Sequence, residues 1–196
     1  MKSPVPQVSV RHPAPACEVC ILAGGLSSRM GRDKARLRLG RRTLLGHVRA
    51  LAGELGLPVR IIRRDLVPRC GPLGGIYTAL RTTRAEAVLF LSCDMPFVSV
   101  GLIESVLARR AARPAAIFVE AAGIVGFPFL LPRVALPGVE AQMTAQRFSL
   151  QALAAALRAR RLKLGSAQAT QLFNVNTPED FAAARRRWRV DMAGSA

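Results

Sequence analysis

The 196-residue sequence has few lysines, few acidic residues and few aromatic residues. It contains 29 Lys and Arg against 12 Asp and Glu, and its lysines are only Lys2, Lys34 and Lys163. The formal net charge of +17 first suggests a nucleic-acid-binding protein. However, the arginines are spread along the chain, and aromatic residues, which stack on bases, make up only 5% of it. We therefore expect nucleic acid to be a minor alternative, and the positive field to favour small polyanions such as nucleotides.

The sequence also lacks a long apolar run. No segment reaches the roughly 18 consecutive apolar residues of a membrane-spanning helix, so we expect no membrane span. The first residues, MKSPVPQVSVRHPAPA, contain prolines where a signal peptide has its apolar segment. We therefore predict a flexible leader over 1–16, a single domain over 17–190 and a frayed tail over 191–196. The protein is expected to be cytoplasmic.

Cysteine is scarce, and its spacing does not fit a metal site. Cys17 and Cys20 form a C-x-x-C pattern inside CEVCILA, an apolar segment that we predict to be a strand. Residues three apart in a strand point to opposite faces of the sheet, so these two thiols would not share a metal ion. No second C-x-x-C or histidine pair is present. With Cys70 and Cys93, we expect them to be small buried thiols in a reducing compartment.

Apolar segments alternate with helical leucine patterns. Strands are predicted over 17–23, 59–63, 87–92, 115–120 and 124–131, the last interrupted by Pro128. Helices are predicted within 42–58, 76–83, 100–110 (capped by Ser99) and 149–161, and from Pro178 to about Trp188 (capped by Asn176 or Thr177), with a turn over 71–75. This alternation indicates an α/β fold with a mostly parallel sheet covered on both faces. The loops at the carboxyl ends of its first three strands should therefore converge on a ligand.

The first of these loops, LAGGLSSRMGRDKA (22–35), has the composition of a phosphate-binding loop. Gly24 and Gly25 permit a sharp turn and a close approach of the backbone to a ligand, while Arg29 and Lys34 add charge. A lysine in a chain that otherwise uses arginine suggests a site for a compact ammonium group. A tight strand-to-helix turn with a solvated basic face is the alternative interpretation.

Two aspartates in the other loops are candidate ligands. Asp94 follows the apolar segment AVLFLS, where one carboxylate would hold Mg²⁺ beside phosphate oxygens. Asp65 would accept hydrogen bonds from a base or bind a metal ion, near the close-approach glycines of GPLGG. The alternatives are a turn residue at Asp94 and a surface residue beside Arg63 and Arg64 at Asp65.

Together these loops resemble one family, the molybdenum cofactor guanylyltransferases and their nucleotidyltransferase relatives. The family signature LAGGxSxRMGxDKA is similar to LAGGLSSRMGRDKA, and later family blocks are similar to GPLGGIYTAL, LFLSCDMPF and FNVNTPEDF. The resemblance covers about residues 17–188. It implies a Rossmann-like, three-layer nucleotidyltransferase fold. It also implies Mg²⁺-dependent transfer of GMP from GTP to the molybdopterin-bound molybdenum cofactor, with release of pyrophosphate.

The resemblance also assigns roles to residues. It implies that Leu22, Ala23, Gly24 and Gly25 contact the nucleotide and that Lys34 binds its phosphates. Asp65 would meet the guanine, Asp94 would hold Mg²⁺, and the Asn174–Asn176 block would lie near the active site. With Lys34 and Asp94, Arg29 is the third candidate catalytic residue. Molybdenum-insertion proteins and molybdoenzymes are possible further partners.

The implied chemistry needs no general base, because the attacking phosphate oxygen is already ionised at neutral pH. The two histidines, His12 and His47, accordingly lie outside every motif. Relatives carry an asparagine on the strand before Asp65, and VRIIRRD has none. Cytidylyl transfer, transfer to a related phosphorylated acceptor, and nucleotide binding without transfer therefore stay open as alternatives.

Overall fold

A computed structural model describes residues 15–24, 33–110 and 114–193 of the chain. Most of the predicted leader and the last three residues of the predicted tail lie outside these ranges, so both stay predictions. The elements follow in the order β1 (Cys17–Leu22), β2 (Arg38–Leu39), β3 (Arg42–Thr43), α1 (Leu44–Glu54), β4 (Val59–Ile62), α2 (Pro72–Thr82), β5 (Ala87–Ser92), α3 (Val100–Leu107), β6 (Ile117–Ala121), β7 (Ile124–Pro132), α4 (Leu136–Thr144), α5 (Leu150–Ala156), β8 (Arg160–Lys163), α6 (Ser166–Ala169) and α7 (Pro178–Ala193).

The central sheet has six strands in the order β4-β1-β5-β7-β6-β8. Every neighbouring pair is parallel except those of β7, which runs antiparallel to both β5 and β6. The predicted α/β fold with a mostly parallel sheet is therefore confirmed. The described helices include none that is long and apolar enough to cross a membrane.

Helices cover both faces of this sheet. Apolar side chains of α1 and α3 pack with Val19 and Leu89 on one face. Those of α2, α4 and α5 pack with Cys20 and Phe90 on the other. Successive side chains of a strand point to opposite faces of the sheet, so each face has its own hydrophobic core. The sheet is the middle of three layers, with helices on either side.

The cysteines lie as the strand pattern predicts. Cys17 belongs to one core and Cys20 to the other, and all four cysteines are free and buried. Burial raises the pKa of Cys20 to about 12 and that of Cys93 to about 12. Within the described ranges, no three His, Cys, Asp or Glu side chains are grouped as metal ligands.

The predicted turn over GPLGG is wrong. Pro72 is the first residue of α2, and Gly74 and Gly75 lie in the helix. Proline suits this position because its missing N–H would have no partner in the first turn and its fixed φ is already helical. Gly74 and Gly75 do not break the helix; they allow other residues to approach it closely.

Several elements in the second half of the chain differ from the prediction. The predicted helix over 149–161 ends at Ala156, Arg158 takes a left-handed φ of 47°, and the last arginines belong to the unpredicted strand β8. β7 continues through Pro128, since a bulge opposite Phe118 leaves that residue outside the ladder. α7 runs on to Ala193, and α4 had no sequence prediction.

Candidate active site

The carboxyl ends of β1, β4 and β5 meet at one edge of the sheet, as predicted. The Ala23 N–H donates to the Ile62 carbonyl at 2.8 Å, which fastens the end of β1 to β4. The Cys93 N–H donates to the Leu22 carbonyl at 3.1 Å, which fastens it to β5. Three chain segments that are distant in sequence are thereby held around one edge, where parallel sheets bind ligands.

Gly24 lies at a close approach between two of these segments. A Cβ atom built on it would lie 2.9 Å from the Arg63 carbonyl oxygen, closer than real Cβ contacts allow. Any other residue at this position would push β1 and the segment after β4 apart. Gly25 and Arg29 lie outside the described residues, and their assigned roles stay predictions.

Lys34, Asp94 and Asn176 form one polar cluster at this edge. The Lys34 Nζ donates to Asp94 Oδ2 at 2.7 Å and to Asn176 Oδ1 at 3.0 Å. The Lys34 and Asp94 side chains are 22% and 14% exposed, so the pair is shielded but reachable from solvent. A charge-assisted hydrogen bond of this kind is shorter and stronger than one between neutral groups.

Local structure positions each member of this cluster. Asp33 caps the short 3-10 helix Lys34–Arg36 by accepting from the Ala35 N–H at 3.0 Å. Asp94 is oriented from the strand end, because the Ser92 hydroxyl donates to its Oδ1 at 2.5 Å. Ser92 was not among the predicted site residues, although its place two residues before Asp94 on β5 was visible in the sequence.

Asn176 is carried by the N-terminus of α7. The Asp180 carboxylate accepts from the backbone N–H groups of Asn176 and Thr177, both at 2.9 Å, and the Thr177 hydroxyl accepts from the Asp180 N–H at 3.1 Å. Hydrogen bonding from the Asn176 N–H holds the pKa of Asp180 below its usual value. This reciprocal cap and the bond from the Val175 N–H to the Asp94 carbonyl at 2.9 Å fix Asn176 beside Lys34.

Asp65 lies against the first turn of α2, and it has no hydrogen bond to the Lys34 cluster among the described residues. A Cβ on Gly74 would lie 2.6 Å from Asp65 Oδ2, and one on Gly75 would lie 3.4 Å from Oδ1 and 3.0 Å from Leu22 Cδ2. The two glycines therefore admit both the carboxylate and Leu22. Burial raises the pKa of Asp65.

Comparison with known proteins over most of the chain shows the family to which it belongs. A family model of the MobA-like NTP transferase domain matches residues 19–162. A molybdenum cofactor guanylyltransferase from Pseudomonas entomophila is 32% identical over 184 residues, which cover 84% of this chain and 96% of that protein. This chain belongs to the MobA-like nucleotidyltransferase family. The resemblance of its four motifs to those of molybdenum cofactor guanylyltransferases is confirmed.

Solved structures share the MobA-like fold. Molybdopterin-guanine dinucleotide biosynthesis protein A from Archaeoglobus fulgidus has a TM-score of 0.66 at 19% identity, covering 86% of this chain and 97% of that one. The 2-C-methyl-D-erythritol 4-phosphate cytidylyltransferase from Thermus thermophilus has a TM-score of 0.64 at 19% identity, covering 88% and 98%. The predicted nucleotidyltransferase fold is confirmed. Since a cytidylyltransferase shares it, the fold does not distinguish guanine from cytosine.

Proposed function

We propose that this MobA-like protein transfers GMP from GTP to the molybdopterin-bound molybdenum cofactor, releasing pyrophosphate. The observation that carries the proposal is the Lys34–Asp94–Asn176 cluster at the sheet edge where this fold binds nucleotides. Membership in the family and the name of the Pseudomonas relative support guanylyl transfer to this acceptor. We place the reaction in the cytoplasm, and propose molybdenum-insertion proteins and molybdoenzymes as further partners.

In this mechanism Lys34 changes partners. In the described structure its ammonium group is held by Asp94 and Asn176. When a triphosphate enters, the ammonium group contacts the phosphate oxygens and neutralises charge on the leaving pyrophosphate. The acceptor phosphate is already ionised, so catalysis consists of aligning it with the α-phosphate and stabilising the charge that develops.

Asp94 fits the requirements of a Mg²⁺ ligand. Mg²⁺ is commonly bound through one or two carboxylates, with phosphate oxygens and water completing its shell. Asp94 is a partly buried carboxylate whose oxygens have lone pairs beyond those used by Lys34 and Ser92. When bound, the metal ion would neutralise part of the negative charge on the phosphate oxygens. Ser92 would keep Asp94 in the orientation needed to hold it.

Asp65 is the proposed base-contacting residue. Its carboxylate has no hydrogen bond within the described part of the chain and lies beside Leu22 at the strand edge. An ionised carboxylate accepts hydrogen bonds only. Guanine presents two adjacent donors, its ring N–H and its amino group, whereas cytosine presents one donor beside acceptors. This difference favours GTP over CTP.

The test is a pyrophosphate-release assay with purified protein, Mg²⁺, GTP and molybdopterin-loaded acceptor. We expect release with GTP and at least about tenfold less with CTP or ATP, since each mismatched hydrogen bond leaves a polar group unpaired. Equal release with CTP would contradict the guanine assignment. GTP binding without any release would contradict the transfer assignment and leave a nucleotide-binding protein.

A further inference from the structure

A cavity lies between α7 and the segment 33–40. Its volume is about 710 Å³, and none of Lys34, Asp65, Asp94 and Asn176 lines it. Four arginines line it, two from each side: Arg36, Arg38, Arg185 and Arg189. The cavity is therefore separate from the proposed active site and strongly basic.

The positive charge in this cavity is poorly compensated. Among the described residues that line it, Asp33 alone is acidic, and it pairs with Arg36 at 3.7 Å between two exposed side chains. Arg38 donates to a backbone carbonyl, that of Arg41. Arg185 and Arg189 make no ion pair or hydrogen bond with any residue in the described ranges. Several guanidinium groups close together create a positive field that attracts anions, and one anion can bind more than one of them.

The floor of the cavity is apolar and held in place. Leu39 is fully buried, and Phe181 and Trp188 pack against the same small core. The Trp188 ring lies edge-on to His47 at 4.6 Å between centroids, and its Nε1 would lie 2.6 Å from a Cβ on Gly40. The floor is thus set by packing within the protein, as in a preformed ligand site.

We propose that this cavity binds a small phosphate-bearing anion, either a nucleotide or inorganic pyrophosphate. Arginine forks match phosphate oxygens, and the volume lies within the roughly 300–1,000 Å³ of small-molecule sites. Arg36 shares a single 3-10 turn with Lys34, separated from it by the buried Ala35. An anion bound here would therefore contact the opposite side of the turn that carries the active-site lysine. The proposal does not depend on the transfer reaction.

Trp188 provides a direct readout, because it is the only tryptophan in the chain. The full-length protein is titrated with sodium pyrophosphate, with GMP and with guanosine, using excitation at the red edge of tryptophan absorption. We expect a saturable fluorescence change with pyrophosphate, GMP or both, and none with guanosine. A stronger response to GMP identifies a nucleotide as the ligand, and an equal or stronger response to pyrophosphate identifies the inorganic anion.

Matched double variants distinguish binding at this cavity from a general effect of the protein's positive charge. Arg185→Gln/Arg189→Gln should weaken binding by at least about tenfold, because it removes two phosphate-binding forks from the cavity. Arg84→Gln/Arg186→Gln removes the same charge from exposed positions that do not line the cavity and should change affinity less than about twofold.

Three results would overturn the proposal: no saturable change with either phosphate probe, equal losses in both double variants, or an equal response to guanosine. Repeating the titration with the Lys34→Ala variant distinguishes anion binding at the cavity from nucleotide binding at the proposed active site. That variant removes the ammonium group of the proposed active site and should bind the anion at the cavity with unchanged affinity. If transfer activity proves absent while this binding persists, only the proposed function has failed.

Discussion

Lys34 Nζ and Asp94 Oδ2 lie 2.7 Å apart although 60 positions separate these residues in the chain. The fold brings them together by placing the 3-10 turn after the first loop against the end of β5. Asn176, which is further along the chain still, binds the same ammonium group at 3.0 Å. The three members of the polar cluster thus come from three distant motifs that meet only in the folded chain.

Removing the Lys34 ammonium group should abolish most of the activity without unfolding the protein. We expect Lys34→Ala to lower turnover at saturating GTP by about 10²–10³-fold, the usual effect of losing one group that stabilises transition-state charge. The matched control is Lys163→Ala on the exposed side of β8, which should retain wild-type turnover. Circular dichroism checks that both variants are folded. Wild-type turnover in Lys34→Ala would contradict the assignment of this residue.

Gly24 should be irreplaceable for steric reasons. In Gly24→Ala the new methyl group would meet the Arg63 carbonyl oxygen at 2.9 Å, and backbone cannot yield as a flexible side chain does. We expect a loss of about 1–3 kcal/mol in the free energy of unfolding, measured by urea denaturation. Gly53→Ala is the control, because a Cβ there meets nothing within 4 Å and the site is an exposed helical position. That change should stabilise the protein by about 0.5–1 kcal/mol. Equal effects of both substitutions would refute the close contact.

The cap at the start of α7 should make stability depend on pH. Asp180 has a lowered pKa because the Asn176 N–H and then the Thr177 groups bind its carboxylate. Its contribution is present above the unfolded pKa of an aspartate and is lost as the pH falls through the folded value. Asp180→Asn should therefore lower Tm at pH 7 and lose this effect in acid. Glu179→Gln alters the neighbouring exposed carboxylate of the same turn and should change Tm much less. A pH-independent difference between the two would rule out the cap.

Much of the sheet could be predicted from the sequence because its strands are continuous apolar segments. CEVCIL and AVLFLS are almost entirely buried, and short apolar runs between turn signals are typical of strands covered on both faces of a sheet. Ser99 and Thr177 were also predictable as caps, since their side chains act on backbone groups only three residues away. Local chemistry was sufficient at these positions.

The elements that were missed depend on contacts far apart in the chain. Gly74 and Gly75 lie inside a helix, and they are glycines because Asp65 and Leu22 occupy the space that their side chains would fill. β8 carries a polar sequence, RRLK, and is a strand because it completes the sheet beside β6. The Asn176–Lys34 contact likewise appears only when the fold is known, so its role was left undefined by the sequence motif.

The buried thiols should be unreactive in the native protein. Burial raises the pKa of Cys20 and of Cys93 to about 12, so both are thiols at pH 8, and their burial restricts access as well. We expect iodoacetamide at pH 8 to leave both unmodified in the native state and to alkylate both in guanidinium chloride. Peptide mass spectrometry reads each site separately. Rapid native alkylation of either cysteine would contradict the burial described for it.

Asp65 should show the opposite pH dependence to Asp180. Burial raises its pKa, so the folded state holds its proton more tightly than the unfolded state does. Its ionisation therefore costs stability as the pH rises from the unfolded value of about 3.9 through the raised folded value, and the cost remains at neutral pH. Because the group is only partly buried, we expect Asp65→Asn to raise Tm at pH 7 by no more than about 2 °C, and not at all near pH 3. Glu140→Gln, at an exposed position of α4, is the control and should leave Tm unchanged.

The same Asp65→Asn variant should raise the KM for GTP, since the amide presents a donor to guanine where the carboxylate accepts. A more stable protein with weaker GTP use would identify Asp65 as a residue retained for binding at the expense of stability; a less stable protein with unchanged KM would identify it as structural.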